Sequence, residues 1–194
     1  MPSAVERRLF WTAAGIVVVA DLATKLLAEA SLALRSAVSV VGDTIQLRLV
    51  YNPGAAFGLH LGPWSRWIFL AVAIGAIIIL DRMSRTAPPG DRIRQLACGL
   101  VAGGAFGNLV DRVRNAQGVV DFLDVGVGLH RWPTFNVADI GVSCGAIILA
   151  WSLWQEDNAR ERMLTTAETV ALSATGTSDL GTPGGPPVDS PPTR

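Results

Sequence analysis

Four long apolar runs divide the chain, at about residues 9–28, 66–82, 94–111 and 137–154. A helix rises about 1.5 Å per residue against a hydrocarbon core of about 30 Å, so each run predicts a helix that can span a membrane. The second is short unless Arg66 and Arg82 at its ends reach outward with their charged heads. Between the first two runs the period changes. Ile45, Leu47 and Leu49 alternate with Gln46, Arg48 and Val50, which predicts a half-buried strand. Val38 to Val41, followed by Gly42-Asp43, predicts a partner strand joined to it by a two-residue turn. Residues from about 36 to 62 therefore read as a small sheet. A sheet edge with unpaired backbone groups cannot lie in lipid, so this one belongs at the outer membrane surface or under other protein.

Smaller patterns refine this picture. Gly99, Gly103 and Gly107 recur every four residues in the third run and share one helical face, with Gly141 and Gly145 as a matching face in the fourth. Small stripes of this kind let helices pack closely in a bilayer. From about Thr165, Ser, Thr, Gly and Pro dominate, ending TPGGPPVDSPPTR. Such a composition cannot bury a core. The expected organisation is one four-span domain over residues 1–160 and a disordered cytoplasmic tail over 161–194.

Composition supports a membrane protein. Half of the residues are hydrophobic and 16% are charged, where a soluble domain carries about 25% charge. The formal net charge is zero, which argues against a nucleic-acid partner. Cys98 and Cys144 both fall in apolar runs and read as small buried side chains, without the spacing of a disulfide framework or a zinc site. Basic residues cluster before the first run (Arg7, Arg8), between the second and third (Arg82, Arg85, Arg92, Arg94) and after the fourth (Arg160, Arg162). The positive-inside rule then puts both termini in the cytoplasm and the two longer loops outside. Arg7-Arg8 ahead of an apolar run, with Ala28-Glu29-Ala30 behind it, has the outline of a cleavable signal peptide. Asp21 and Lys25 interrupt the run and speak against that reading.

Charge inside or at the rim of a span marks function or a structural pair, since a central Asp or Lys costs about 2.5–3.5 kcal/mol. Asp21 and Lys25 lie one helical turn apart and can neutralise each other. Asn108, Asp111 and Arg112 close the third run, with Asp111 and Arg112 facing different ways. Asp121 sits in VVDFLD, between apolar neighbours that raise a carboxyl pKa by removing water. Asp139 lies about a turn inside the fourth run. The segment 112–135 can fold Asp121 over it, and two adjacent carboxyls titrate as a pair, one protonated and one ionised. Such a pair suits peptide hydrolysis by water: one member takes a proton from water while the other polarises the scissile carbonyl. His60 and His130 make a poor metal set, so a zinc protease is not expected.

The blocks DLATK (21–25), NPGAAFG (52–58), GGAFGNLVDR (103–112), VVDF (119–122) and FNVAD (135–139) together resemble the bacterial lipoprotein signal peptidases, signal peptidase II, in that family's order across residues 9–155. The resemblance implies a membrane-embedded aspartic peptidase with four transmembrane helices, an extracytoplasmic β-cradle over about 36–62 and a short extracytoplasmic helix. It implies removal of signal peptides from prolipoproteins just before a diacylglyceryl-modified cysteine, and inhibition by globomycin. It also implies an enzyme that needs no metal and no cofactor. Carried over, the catalytic dyad is Asp121 and Asp139. Asp21, Lys25, Asn52, Gly54, Asn108, Arg112, Asn136 and Ala138 shape the site or hold substrate, and Asp111 gives structural support. The implied partners are diacylglyceryl prolipoproteins and membrane lipids, and a monomer is expected in the plasma membrane, with its active site near the outer face. A small transporter or proton channel that uses the intramembrane carboxylates is the alternative, and a non-catalytic assembly factor would leave both carboxylates without a purpose.

Overall fold

The computed structural model describes residues 2–54 and 62–176. In chain order it contains α1 (Ala4–Ser31), β1 (Ala37–Val41), β2 (Ile45–Asn52), a 3-10 turn (Gly62–Trp64), α2 (Ser65–Thr86), α3 (Arg92–Arg114), β3 (Val119–Val127), β4 (His130–Arg131) and α4 (Val137–Gly176). Helices at Ala4–Ser31, Gly62–Thr86, Arg92–Arg114 and Val137–Thr169 are long and apolar enough to cross a membrane. The protein is thus a mainly helical, multi-pass membrane protein with a small antiparallel sheet. Part of the NPGAAFG block (55–58), His60 and the tail from 177 lie outside the described residues. The short extracytoplasmic helix implied by the resemblance has no counterpart longer than the Gly62–Trp64 turn among the described residues.

Local sequence sets the helix starts. Ser3 and Glu6 form a reciprocal capping box at α1, with the Glu6 amide donating to Ser3 Oγ and the Ser3 amide to Glu6 Oε2. Asp91 caps α3 by accepting from the Arg94 amide. Pro88, Pro89 and Gly90, the last at φ 90°, break the chain between α2 and α3. The glycine stripe of α3 has two uses. A Cβ at Gly103 would stand 2.8 Å from the Ala14 Cα, and one at Gly104 would strike the Ala138 carbonyl oxygen, so α1 and α4 both pack directly on α3 there. At Gly107 the missing Cβ makes room for a side chain instead, since it would meet Asp21 Oδ2 at 2.5 Å.

The four strands run β1-β2-β3-β4. Val41 pairs with Ile45, so the first hairpin loop is Gly42-Asp43-Thr44, one residue longer than the two-residue turn expected. Gly42 takes a left-handed φ of 52° and the ladder shifts register between Ser39 and Val41, as three-residue hairpin loops commonly do. The segment expected as a loop over 112–135 supplies β3, which pairs with β2 and places Val50 opposite Asp121 and Asn52 opposite Val119. Val120 and Phe122 pack with Ala28 and Leu49 in a core beneath the sheet, while Asp121 alternates to the other face.

The chain divides into two compact units, Met1–Ser152 and Leu153–Arg194. In the second, helix continues to Gly176, which corrects the expectation of disorder from 161. The stretch ARERMLTTAETVA is built mostly of good helix formers. Its threonines Thr165, Thr166 and Thr169 satisfy their hydroxyls on the carbonyls of Glu161, Arg162 and Thr165.

Candidate active site

The segment leading into α4 is stitched to β3. The Leu123 amide donates to the Phe135 carbonyl at 2.8 Å, and the Phe135 amide returns to Leu123 at 3.0 Å. This pairing sets Asn136 beside Asp121. Asn136 is also the cap of α4: its Oδ1 accepts from the Asp139 amide at 2.9 Å, and Asp139 Oδ2 accepts from the Asn136 amide at 3.2 Å. Asp139 therefore occupies the third position of a capping box, where an acid satisfies a free amide and meets the positive end of the helix. Its place in an apolar run has a local reason.

Asn136 Nδ2 donates to Asp121 Oδ1 at 2.7 Å, and Asn52 Nδ2 donates to Asp121 Oδ2 at 3.1 Å. One asparagine thus binds both carboxylates. Asn108 Nδ2 donates to Asp139 Oδ1 at 2.8 Å, while Asn108 Oδ1 accepts from Asn136 Nδ2 at 3.1 Å and from Lys25 Nζ at 2.9 Å. The Asp121 carboxyl is pushed up to about 7, first by burial and then by the charge of Asp139, against the pull of the Asn52 and Asn136 amides.

Behind the carboxylates lies a fully buried ionic hub. Lys25 Nζ stands 2.8 Å from Asp21 Oδ2 and 2.8 Å from Asp111 Oδ2. Asp21 Oδ1 accepts from the Ala138 amide, which ties α1 to the first turn of α4. Asp111 accepts from the Val120 amide and pairs with Arg114, which ties α3 to β3. Arg112 points the other way, as neighbours on a helix must. It binds the carbonyls of Asn108 and Gly54 and stacks over Phe69. Gly54 in turn donates its amide to Asn52 Oδ1.

A cavity of about 660 Å³ opens onto the two carboxylates. Asn52, Asn108, Arg112, Asp121 and Asp139 line its polar end. Asp21, Lys25, Asp111, Asn136 and Ala138 are brought to the same place but stand outside that lining, as the frame that holds it. All eleven residues singled out from the sequence fall in one connected cluster. Sequence reasoning missed the apolar wall, made by Trp132, Pro133, Phe135, Ile140 and Val142. Val142 and Ser143 follow Asp139 at positions +3 and +4 and so continue its helical face, a spacing that could have revealed them. Cys144 lines this cavity, unlike buried Cys98, and so departs from the reading of both cysteines as core. Glu29 was also missed. It accepts from the Tyr51 hydroxyl and from Arg114 at the outer edge of the hub.

Fold and site define a polytopic membrane protein with paired carboxyls at the polar end of a largely apolar cavity. Residues 13–155 match the family model of signal peptidase (SPase) II. The chain is 45% identical over 153 residues to the lipoprotein signal peptidase of Rhodococcus jostii, spanning 74% of this chain and 71% of the relative. It is 40% identical over 149 residues to that of Nitratidesulfovibrio vulgaris, spanning 74% and 87%. Two solved structures of bacterial membrane enzymes, obtained by the in meso method at 2.3 and 1.9 Å resolution, are similar to it with TM-scores of 0.68 and 0.64 at 28% identity. They cover 75% and 73% of this chain and 87% and 90% of their own. The chain belongs to the signal peptidase II family, whose members are membrane peptidases.

Proposed function

We propose that the protein is an aspartic endopeptidase that removes signal peptides from diacylglyceryl-modified prolipoproteins, cutting before the lipidated cysteine. The observation that carries this reading is the shared asparagine: Asn136 binds both Asp121 and Asp139 at the polar end of the cavity. Two carboxyls held this way share one proton at neutral pH. The ionised one takes a proton from a water placed between them, and the protonated one donates to the scissile carbonyl, so a hydroxide equivalent is made without a metal ion. Asn52, Asn108 and Arg112 line the same end and would grip the peptide backbone.

The apolar wall suits the substrate class. A lipidated cysteine keeps its acyl chains in the bilayer and presents the adjoining peptide bond near the interface. The first turn of a spanning helix, where Asp139 sits, lies at that depth. The basic clusters support cytoplasmic termini, a site at the outer face of the plasma membrane and a cytoplasmic position for the chain beyond residue 160. Membrane lipids complete the surroundings of a protein that works as a monomer.

The test is reconstitution of the purified protein in liposomes with a diacylglyceryl prolipoprotein, followed by mass spectrometry of the products. A mature chain beginning at the lipidated cysteine is expected. Absence of cleavage, or equal cleavage of the unlipidated precursor, would overturn the substrate assignment.

A further inference from the structure

The two carboxyls stand in different surroundings. Asp121 is on a strand, 3% exposed, between Val120 and Phe122. Asp139 is half-buried at the third residue of α4, where the helix presents its positive end. Each accepts two hydrogen bonds from neutral groups, so hydrogen-bond number alone does not distinguish them.

The difference reaches back to Lys25. An ammonium has three donors and no acceptor; this one stands 2.8 Å from a carboxylate oxygen of each of Asp21 and Asp111 and donates to Asn108 Oδ1. The face of Asn108 turned to Lys25 must therefore be its oxygen, which also accepts from Asn136. Its amide hydrogens are left with one direction, toward Asp139 Oδ1. Lys25, together with the Asn136 amide, thereby fixes the orientation of Asn108, and it is the member of that pair that relays a full positive charge toward one carboxyl of the dyad.

We propose that Lys25, acting through Asn108 and together with the N-terminus of α4, is a positioning residue that presets the dyad with Asp139 as the ionised base and Asp121 as the protonated acid. This assignment rests on the peptidase reading and gives each carboxyl one task. In the first step the water oxygen bonds to the scissile carbonyl carbon, one water proton passes to Asp139, and the proton of Asp121 passes to the carbonyl oxygen. In the second step the C–N bond breaks, the proton on Asp139 goes to the leaving nitrogen, and one hydroxyl of the tetrahedral intermediate returns its proton to Asp121. The products are a carboxylic acid and an amine, and the dyad is restored. The position of the Asp121 carboxyl, pushed up to about 7 chiefly by burial, agrees with the acid role. Among the described residues the charged groups facing the pair are Asp21 and Lys25 from α1 and Asp111 and Arg112 from α3, while β2 offers the Asn52 amide and lines the same cavity with Tyr51.

Infrared spectroscopy of the Asp121→Asn and Asp139→Asn variants at pH 5, each compared with wild type, reads the assignment without turnover. The carbonyl stretch of a protonated carboxyl should vanish in Asp121→Asn and persist in Asp139→Asn. The reverse pattern, loss in both or loss in neither overturns the proposal. Lys25 is tested by the pH profile of kcat. Lys25→Met removes a buried cation beside two acids, so both limbs of the profile should move to higher pH, with kcat down about tenfold or more and KM little changed. Should Lys25→Met not fold, Asn108→Leu cuts the same relay while leaving Lys25 its two carboxylates, and its acid limb should move upward. A loss of thermal stability with unshifted limbs would make both residues merely structural. A failure of cleavage with the expected infrared pattern would sink the peptidase reading and spare the assignment, whereas cleavage with the reverse pattern would do the opposite.

Discussion

Among the described residues, two polar clusters of the helical bundle can be compared, and one of them leads to the cavity. At one end Lys25, Asp21, Asp111 and Asn108 form a hub whose ionic side chains are completely buried. At the other, Arg7 pairs with Asp81 at 2.8 Å and donates to Ser84, which bonds Gln95. Gln95 then donates to the Ser84 carbonyl. That second network closes on itself and fastens α1 to α2 and α3. The first continues through Asn108 and Asn136 to both carboxylates of the cavity. Buried polarity in a membrane helix is therefore not in itself a functional mark; its connection to an accessible space is. Between the clusters, residues 9–20 of α1, 67–80 of α2 and 95–107 of α3 contain no Asp, Glu, Lys, Arg or His. In α1 that gap is about 18 Å at 1.5 Å per residue, which a proton relay across the bilayer would have to bridge without a titratable group of these kinds.

The comparison predicts unequal damage. Lys25→Met leaves Asp21 as an unpaired buried charge and Asp111 with Arg114 alone, and should cost about 3–5 kcal/mol, enough to lower the detergent-solubilised Tm steeply and to cut kcat about tenfold or more. A variant that stays as stable as wild type would show that the hub is not ionic.

Next comes the pH dependence of stability. The Asp121 carboxyl rises from 3.8 to about 7 on folding, so the folded chain holds a proton that the unfolded chain releases, and stability falls as pH climbs through that window. Asp121→Asn should gain on wild type between pH 5 and pH 8 by roughly 3 kcal/mol, a difference that cancels any constant cost of the amide. Parallel stability curves for the two proteins would contradict a buried, raised carboxyl.

Much of the site was legible because its residues cluster at element ends. Asp21 and Lys25 near the end of α1, Asn108 to Arg112 near the end of α3, and Asn136 to Asp139 at the start of α4 are polar groups breaking apolar runs. What could not be read were relations set by packing. The strand over Val119–Val127 has no clean alternation, since it is buried on both faces next to β2, and its register depends on its partner. The full extent of α4 was hidden by a compositional shift that begins before its helix formers run out. Gly107 belongs to a packing stripe by spacing but opposes the Asp21 carboxylate in space.

Smaller effects separate the two clusters further. Gly104→Ala would drive a methyl into the Ala138 carbonyl, displacing the first turn of α4, and should cost about 1–3 kcal/mol together with activity. Ser84→Ala, in the closed network, should cost about 1 kcal/mol and leave kcat and its pH profile unchanged. Gly75→Ala meets nothing within 4 Å and should be neutral or slightly stabilising. Equal loss of activity in the Ser84 and Gly104 variants would erase the distinction between the clusters.

The central claim is that Asp121 and Asp139 together cut the peptide bond, and single-turnover cleavage of a diacylglyceryl prolipoprotein by Asp121→Asn and Asp139→Asn proteins tests it most directly. Both variants should fold, as judged by circular dichroism and Tm, bind the substrate, and lose about a thousandfold or more in rate. Release of the signal peptide at the wild-type rate by either folded variant would contradict it.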